Sequence, residues 1–196
     1  MKENKEYPEA GNKLETPIGQ KDWLEAMELR AVTQKIVITQ FNVNIVMFTM
    51  NIPGPIKSNP IIQAIFQEGL MELLKRCECY NPIAFLEKNP ATGPEAYILV
   101  PITNSCLTVK KDLLSLENQH PMGRWFDIDV ISEKKTKISR SDLKEPPRRC
   151  FLCDKPAKIC RREGNHSIDE LFAYTIQQMQ SYVRETHNDT KCFELF

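Results

Sequence analysis

The sequence predicts an α+β domain in which a small mixed sheet is flanked by helices. Apolar, β-prone runs at residues 44–50 and 96–101 alternate along the chain with segments whose apolar residues recur at helical spacing. A third strand is expected at residues 126–131, where apolar and acidic residues alternate with the period of two of a half-buried strand. Helices and strands in this order favour one sheet with helices packed against it.

The helices are predicted from their apolar periodicity and from their end signals. Pro60 suits the first position of the helix that it opens, and Ser167 with Glu170 forms a capping box at the start of the last helix. On the first helix, Arg30 and Gln34 lie four residues apart and share a face, which we expect to be solvent-exposed. The first expected helix begins near Asp22, and three further helices are expected at residues 60–76, 107–116 and 167–185.

The composition limits the class of protein. Lysine plus arginine equals aspartate plus glutamate at 26 each, so the formal net charge is zero, whereas a general nucleic-acid binder normally carries a basic excess. No apolar run reaches the roughly 18 residues that span a bilayer, and the charged N-terminus lacks a hydrophobic signal region. We therefore expect a cytoplasmic protein with no nucleic-acid or membrane partner, built from a loose arm at residues 1–20 and a single domain at residues 21–196.

The acidic strand is the strongest candidate for a functional site. In a strand the side chains of Asp127 and Asp129 project from the same face, where they repel each other unless a cation lies between them. Oxygen ligands of this kind suit Mg²⁺, which commonly binds one or two carboxylates together with substrate phosphates. Just upstream, Gly123 allows close backbone approach and Arg124 offers a fork-shaped phosphate donor. The alternative is an amphipathic strand whose polar face happens to be acidic.

Further candidate phosphate ligands surround this strand in the sequence. A hairpin partner at residues 136–139 would bring Arg140 back near the carboxylates. The turn at residues 51–58 ends a strand and carries Lys57, although an ordinary tight turn explains it equally well. His120 is a candidate general base or phosphate contact, and its alternative role is to cap a turn.

A cysteine-rich segment at residues 148–166 has the ligand spacing of a small zinc site. Cys150, Cys153, Cys160 and His166 form the pattern C-x₂-C-x₆-C-x₅-H, an acceptable tetrahedral set for Zn²⁺. Such a site would be structural, because four protein ligands leave no open position. The alternative is a set of reduced thiols that pack as small hydrophobes. The segment is also basic, and its first two residues, Arg148 and Arg149, suit an anionic ligand.

Taken together, these motifs resemble a known family. They occur in the same order and rough spacing in the apo-citrate lyase phosphoribosyl-dephospho-CoA transferases, also called citrate lyase holo-acyl-carrier-protein synthases. The resemblance covers about residues 20 to 185, nearly the whole chain. Several linked motifs are far more specific than one short motif alone. The segments that carry the resemblance are residues 51–57, 93–95, 120–130, 138–140 and 146–153, followed by Cys160 and His166.

The resemblance implies a nucleotidyltransferase-like reaction on the D-x-D strand. The donor would be triphosphoribosyl-dephospho-CoA, and the acceptor a serine of the citrate lyase acyl-carrier (gamma) subunit, with pyrophosphate as the leaving group. Mg²⁺ would be the catalytic metal, and Zn²⁺ a possible structural one. The residues assigned to catalysis are Asp127, Asp129, Arg124 and His120, and those assigned to the substrate are Lys57, Gly123, Arg140, Arg148 and Arg149.

A second hypothesis from another class is a non-enzymatic zinc-knuckle adaptor that binds a protein or RNA partner. In that case the acidic strand is a polar face without chemistry. The zero net charge and the few aromatic residues near the knuckle weaken the RNA version. Stabilisation by Mg²⁺ with a coenzyme A-type triphosphate would favour the enzyme, and zinc-dependent folding without a nucleotide effect would favour the adaptor.

Overall fold

A five-stranded sheet forms the centre of the fold. The structure is a computed structural model, and it describes residues 16–187. The strand order is β2-β3-β1-β4-β5, and β1 therefore lies in the middle. Its apolar, β-prone sequence suits that position, because a central strand is covered on both faces. The strands are β1 (Val43–Met50), β2 (Ala84–Lys88), β3 (Glu95–Pro101), β4 (Phe126–Ile131) and β5 (Lys137–Ile138).

The sheet is antiparallel throughout, so the prediction of a mixed sheet is wrong, whereas the α+β class is confirmed. Two helical connections do join strands that run in the same direction, as helical crossovers usually do. They connect β1 to β2 and β3 to β4, and neither of these pairs is adjacent. An antiparallel strand lies between the members of each pair: β3 separates β1 from β2, and β1 separates β3 from β4.

Helices cover both faces of the sheet, and the larger core lies on the face of the second, third and last helices. There Phe48 and Phe126 pack with Phe66, Leu113 and Met179. A smaller core on the opposite face joins the first helix to the sheet through Ile38. The helices are α1 (Gln20–Phe41), α2 (Pro60–Cys77), α3 (Cys106–Gln119), α4 (Ala157–Glu163) and α5 (Ile168–His187).

Strand β4 has the two faces that its alternating sequence predicts. Its apolar residues Phe126, Ile128 and Val130 are fully buried in the larger core. Asp127 and Asp129 are half-buried and lie on the α1 face. The strand ends in the predicted hairpin, because Ser132 N–H donates to the carbonyl oxygen of Thr136 at 2.9 Å before β5 pairs with β4.

The other predicted elements are confirmed with small differences in their ends. The capping box of α5 is present, since Glu170 N–H donates to Ser167 Oγ at 3.1 Å and Ser167 N–H to the Glu170 carboxylate at 2.7 Å. Strand β2 and helix α4 were not predicted. Most of the predicted arm, residues 1–15, lies outside the described residues. Within residues 16–187, no helix combines the length and apolar character needed to cross a membrane.

Candidate functional site

The acidic pair lies on the α1 face of β4, and each carboxylate has one cationic neighbour. Asp127 Oδ1 is 3.0 Å from Arg148 Nη2, and Asp129 Oδ2 is 2.5 Å from Lys137 Nζ. Even so, burial and then the charge of Asp127 raise the pKa of Asp129 above its usual range. Two carboxylates on one face of a strand supply the hard oxygen ligands that fit a divalent cation such as Mg²⁺.

Two adjoining cavities between α1 and the sheet open onto these carboxylates. Their volumes are about 290 and 310 Å³, and both are lined by Met27, Arg30, Thr49 and Asp127. Lys57 lines the first of these two cavities. Its Nζ donates to the carbonyl oxygen of Ile52 at 2.5 Å, and burial lowers its pKa. We call these two cavities the α1 groove.

Arg30 also lines this groove, and the sequence had not indicated that position for it. Its Nε–H group donates to Glu95 Oε2 at 2.9 Å, and its Nη2 forms an ion pair with the same oxygen at 2.9 Å. The Tyr97 hydroxyl donates to Glu95 Oε1, also at 2.9 Å. The expectation that Arg30 faces solvent is therefore wrong. Thr49 is the register partner of both Glu95 and Asp127, so the two carboxylates lie in one row across the sheet. The Gly93-Pro94-Glu95 segment of the family resemblance was the available signal.

A further cavity, of about 450 Å³, is lined by Arg148 and is rich in arginine. Its centre is Glu117 of α3, whose side chain is only 1% exposed. Arg140 and Arg148 both donate to Glu117 Oε2, Arg148 at 2.8 Å. Burial opposes ionisation of Glu117, but the surrounding cations outweigh it and hold its pKa below the usual range. We call this cavity the arginine pocket; it is also lined by His120, Gly123, Arg124 and Arg149.

Arg124, which lines this pocket, has hydrogen-bond donors without a partner in the described part of the chain. Its guanidinium lies 4.0 Å from the ring centroid of Phe151, and its Nη2–H group donates to the carbonyl oxygen of Arg149. Its Nε and Nη1 are buried and have no hydrogen-bond partner among residues 16–187, and the same holds for Arg140 Nε. Burial, with the nearby charge of Arg148, lowers the pKa of Arg124 to about 10, so it stays protonated at neutral pH. Unpartnered cationic donors fit an anionic ligand.

Two other predicted site residues have clear structural contacts. His120 Nδ1 accepts a hydrogen bond from Met122 N–H at 3.0 Å, and its Nε2 is 3.2 Å from Glu68 Oε1. Both ring nitrogens are thus engaged, which favours the turn-capping alternative over a general base. A Cβ on Gly123 would lie 2.6 Å from backbone carbonyl oxygens of Glu117 and Leu116. Glycine is therefore required there for close packing on the end of α3.

The cysteine-rich segment forms a compact group of ligand atoms. The Sγ atoms of Cys150, Cys153 and Cys160 and a ring nitrogen of His166 lie within 4.8 Å of one another. The sulfur distances of 3.4 and 3.7 Å from Cys160 are far too long for a disulfide. The Nε2 of His166 is buried and has no hydrogen-bond partner in the described part of the chain. This group, which we call the Cys/His centre, could hold a metal ion.

Comparison with known proteins identifies the family. A family model described as apo-citrate lyase phosphoribosyl-dephospho-CoA transferase matches residues 19–182. A probable enzyme of that name from Vibrio cholerae serotype O1 (strain M66-2) is 31% identical over 157 residues, which cover 79% of this chain and 88% of that protein. The chain belongs to the apo-citrate lyase phosphoribosyl-dephospho-CoA transferase family.

Other relatives agree with this assignment. A probable apo-citrate lyase phosphoribosyl-dephospho-CoA transferase from Streptococcus pyogenes serotype M18 (strain MGAS8232) is 31% identical over 174 residues, 86% of this chain and 89% of that protein. Protein CitXG of Leuconostoc mesenteroides subsp. cremoris is 32% identical over 165 residues, 81% of this chain but 34% of that protein. The resemblance seen in the sequence is therefore confirmed. A member of this transferase family is an enzyme, and the adaptor hypothesis is not favoured.

Proposed function

We propose that this transferase attaches the phosphoribosyl-dephospho-CoA group to a serine of the citrate lyase acyl-carrier (gamma) subunit. The serine oxygen forms a bond to the α-phosphorus of triphosphoribosyl-dephospho-CoA, and the bond from that phosphorus to the bridging oxygen breaks. Pyrophosphate leaves with the bond's electron pair, and the serine proton is released. The observation that supports this best is the position of Arg148, which lies 3.0 Å from Asp127 and 2.8 Å from Glu117. One guanidinium therefore connects the acidic pair to the arginine pocket.

In this proposal the acidic pair and the arginine pocket share the donor's polyphosphate. Asp127 and Asp129 would hold Mg²⁺, which when bound stabilises the charge on the phosphates and the departing pyrophosphate. Arg124 and Arg140 would bind phosphate oxygens through the donors that have no partner in the described structure. Arg148 would move from Asp127 towards the phosphates, and Arg149, which is more exposed, would contact them at the rim of the pocket.

Three residues keep smaller roles. Lys57 would reach the donor from the α1 groove, where it lines the same cavity as Asp127. Gly123 would contribute through its backbone, and His120 by fixing the turn in front of Arg124, since both of its ring nitrogens have partners.

We propose in addition that the Cys/His centre binds one structural Zn²⁺ per chain. Three thiolates and one imidazole form a complete tetrahedral set, and zinc prefers these soft and nitrogen ligands. A metal bond would also satisfy His166 Nε2, which is buried without a partner among the described residues. Metal analysis of the protein purified without chelator should therefore find about one zinc per chain.

The transfer of labelled prosthetic group to apo acyl-carrier subunit tests the proposed reaction. Asp127→Asn should fold normally and reduce turnover by about two to three orders of magnitude, because it weakens metal binding at the reacting phosphate.

Arg124→Ala should reduce donor binding or turnover at least tenfold, since a buried arginine–phosphate contact is worth about 1.5–3 kcal/mol. Arg124→Lys should recover only part of this loss, because an ammonium group lacks the two-pronged geometry.

Asp169→Asn is the matched control, since Asp169 is exposed on the first turn of α5 and lines neither the α1 groove nor the arginine pocket. It should transfer the group at the wild-type rate. Near-normal turnover in both Asp127→Asn and Asp129→Asn would disprove the metal site. No transfer by the wild-type protein with Mg²⁺ and this donor would disprove the proposed reaction.

A further inference from the structure

Phe151 connects the Cys/His centre to the arginine pocket. It lies in the loop between two of the ligands, Cys150 and Cys153. One face of its ring lies 4.0 Å from the guanidinium carbon of Arg124, within the range of a cation–π interaction. Its ring also stacks on Trp125, with centroids 5.4 Å apart and planes inclined by 20°. The loop at the centre thus provides a platform for Arg124.

A second contact joins the same two places through the backbone. The Nη2–H group of Arg124 donates to the carbonyl oxygen of Arg149, the residue directly before Cys150. The ring of Phe151 and this carbonyl group therefore position the guanidinium from two sides. Its Nε and Nη1 remain buried and without partners among residues 16–187. Any shift of residues 149–151 would redirect these donors.

Apart from the Phe151 ring, which packs against Trp125 and the main core, the loop has few buried contacts. Backbone hydrogen bonds close it into a ribbon, since Cys150 N–H donates to the Lys155 carbonyl oxygen at 2.8 Å and Ala157 N–H to that of Arg148 at 2.8 Å. Between residues 148 and 163, Cys160 alone is buried, and that residue is itself a ligand. In a segment with so little apolar burial, metal bonds at the centre would add much of its order.

We propose that Zn²⁺ at the Cys/His centre holds Phe151 against Arg124, so that zinc occupancy raises the affinity of the arginine pocket for the polyphosphate of the donor. This rests on the zinc and phosphate sites proposed above. Phe151 is then a positioning residue, which acts through Arg124 and does not itself contact phosphate. Coupling between two sites commonly changes affinity by about five- to 150-fold, and we expect an effect in that range.

Binding of inorganic pyrophosphate to the full chain, measured by calorimetry with excess Mg²⁺, tests the coupling. The zinc-loaded protein should bind pyrophosphate at least about fivefold more tightly than protein depleted of zinc by a chelator and then returned to Mg²⁺. Adding one equivalent of zinc should restore the affinity. Equal affinities in the zinc-loaded and zinc-depleted proteins would overturn the proposal, as would a fully active protein that contains no zinc.

Substitutions at Phe151 keep the test decisive if the zinc-depleted chain does not fold. Phe151→Leu removes the aromatic face but leaves the ligands in place, so it should keep one zinc and bind pyrophosphate at least about fivefold more weakly. In the transfer reaction it should raise the KM for the donor more than it lowers kcat. Phe151→Trp retains an aromatic face and should restore binding. Leu152→Ala is the matched control, because Leu152 is the next residue of the loop and is exposed.

The outcomes separate this inference from the proposed function. If Phe151→Leu with bound zinc retains wild-type affinity and KM, the coupling is wrong, but the arginine pocket and the transferase reaction stand. If the zinc-loaded wild-type protein does not bind pyrophosphate, the coupling is overturned together with the phosphate assignment of Arg124 and Arg140.

Discussion

The proposed metal ligand Asp129 lies in a position that lowers the stability of the fold. Its carboxylate is largely buried, and Asp127 lies on the same face two residues away. The positive charge of Lys137 offsets these effects only in part, because burial and the charge of Asp127 still raise the pKa of Asp129. Groups that oppose folding in this way are often found where a site must bind a ligand of opposite charge.

Asp129→Asn should therefore stabilise the protein at neutral pH in the absence of Mg²⁺, although we expect it to reduce transfer strongly. A raised pKa means that the folded state binds the proton more tightly than the unfolded chain, so ionised Asp129 lowers stability above that pKa. The gain should be a few degrees in Tm at pH 7. It should disappear as the pH falls through the pKa of Asp129, because the wild-type carboxyl then becomes protonated as well.

Thermal melts between pH 3 and 8 measure this effect. Mg²⁺ should raise the Tm of the wild-type protein and have a much smaller effect on Asp129→Asn, since a ligand stabilises only the state that binds it. The exposed control Asp169→Asn should show no gain at any pH. A lower Tm for Asp129→Asn than for wild type at pH 7 without Mg²⁺ would show that Lys137 outweighs the repulsion.

Among the elements, α3 completes the exposed edge of β4. Strand β5 pairs only with Val130 and Ile131, so the backbone groups of Ile128 have no strand partner on that side. Glu117 Oε1 accepts from Ile128 N–H at 3.0 Å, and Lys110 Nζ donates to the Ile128 carbonyl oxygen. Two side chains of one helix thus replace a missing strand at the position between Asp127 and Asp129. The same Glu117 anchors Arg140 and Arg148.

Glu117→Gln should be strongly destabilising. The glutamine can still accept from Ile128 N–H, but three cations around it lose their counter-charge, and breaking a buried ion pair typically costs about 3–5 kcal/mol. Chemical denaturation measures this change in the free energy of unfolding. Glu72→Gln is the control, because it removes the exposed Glu72–Lys75 pair and should cost less than about 1 kcal/mol. Equal effects of the two substitutions would contradict the role assigned to Glu117.

At the scale of the whole molecule, the sequence predicts which side chains share one face of a strand better than it predicts which strands and residues are neighbours in the fold. The period of two in residues 126–131 correctly placed Asp127 and Asp129 on one face, because that pattern is local. The cysteine and histidine spacing likewise identified residues that do converge. The direction of the strands was missed because each crossover connects strands that are not adjacent, and sequence periodicity carries no information about strand order.

Long-range pairs were missed for the same reason. Arg30 and Glu95 are 65 residues apart, and nothing in the local pattern of α1 shows that Arg30 faces the sheet. Strand β2 was missed because it is an exposed edge strand: its first four residues are exposed, so it lacks the alternation of a half-buried strand. The Phe151–Arg124 contact also joins distant parts of the chain and could be seen only in the folded structure.

Helix α1, which covers the groove, is weakly attached to the rest of the molecule. Among its residues Ile38 alone is buried, and Trp23, Leu29 and Ile36 are exposed apolar residues. The Arg30–Glu95 pair is its strongest polar link to the sheet, since the two side chains are only 20% and 8% exposed. Because elements with little apolar burial open at the lowest free energy, α1 is the segment best suited to move when the groove admits a substrate.

Hydrogen exchange followed by mass spectrometry should show this weak attachment directly. Amides of α1 should exchange faster than those of β1 and α2, because those two elements lie in the main core. Arg30→Gln should accelerate exchange in α1 further and leave α2 unchanged, since it removes the ion pair that fixes α1 over the acidic face. Lys21→Gln, which removes only the exposed Lys21–Glu25 pair, should have no such effect. Exchange in α1 as slow as in β1, in both wild type and Arg30→Gln, would show that α1 is a fixed part of the core and that substrates reach Asp127 by another route.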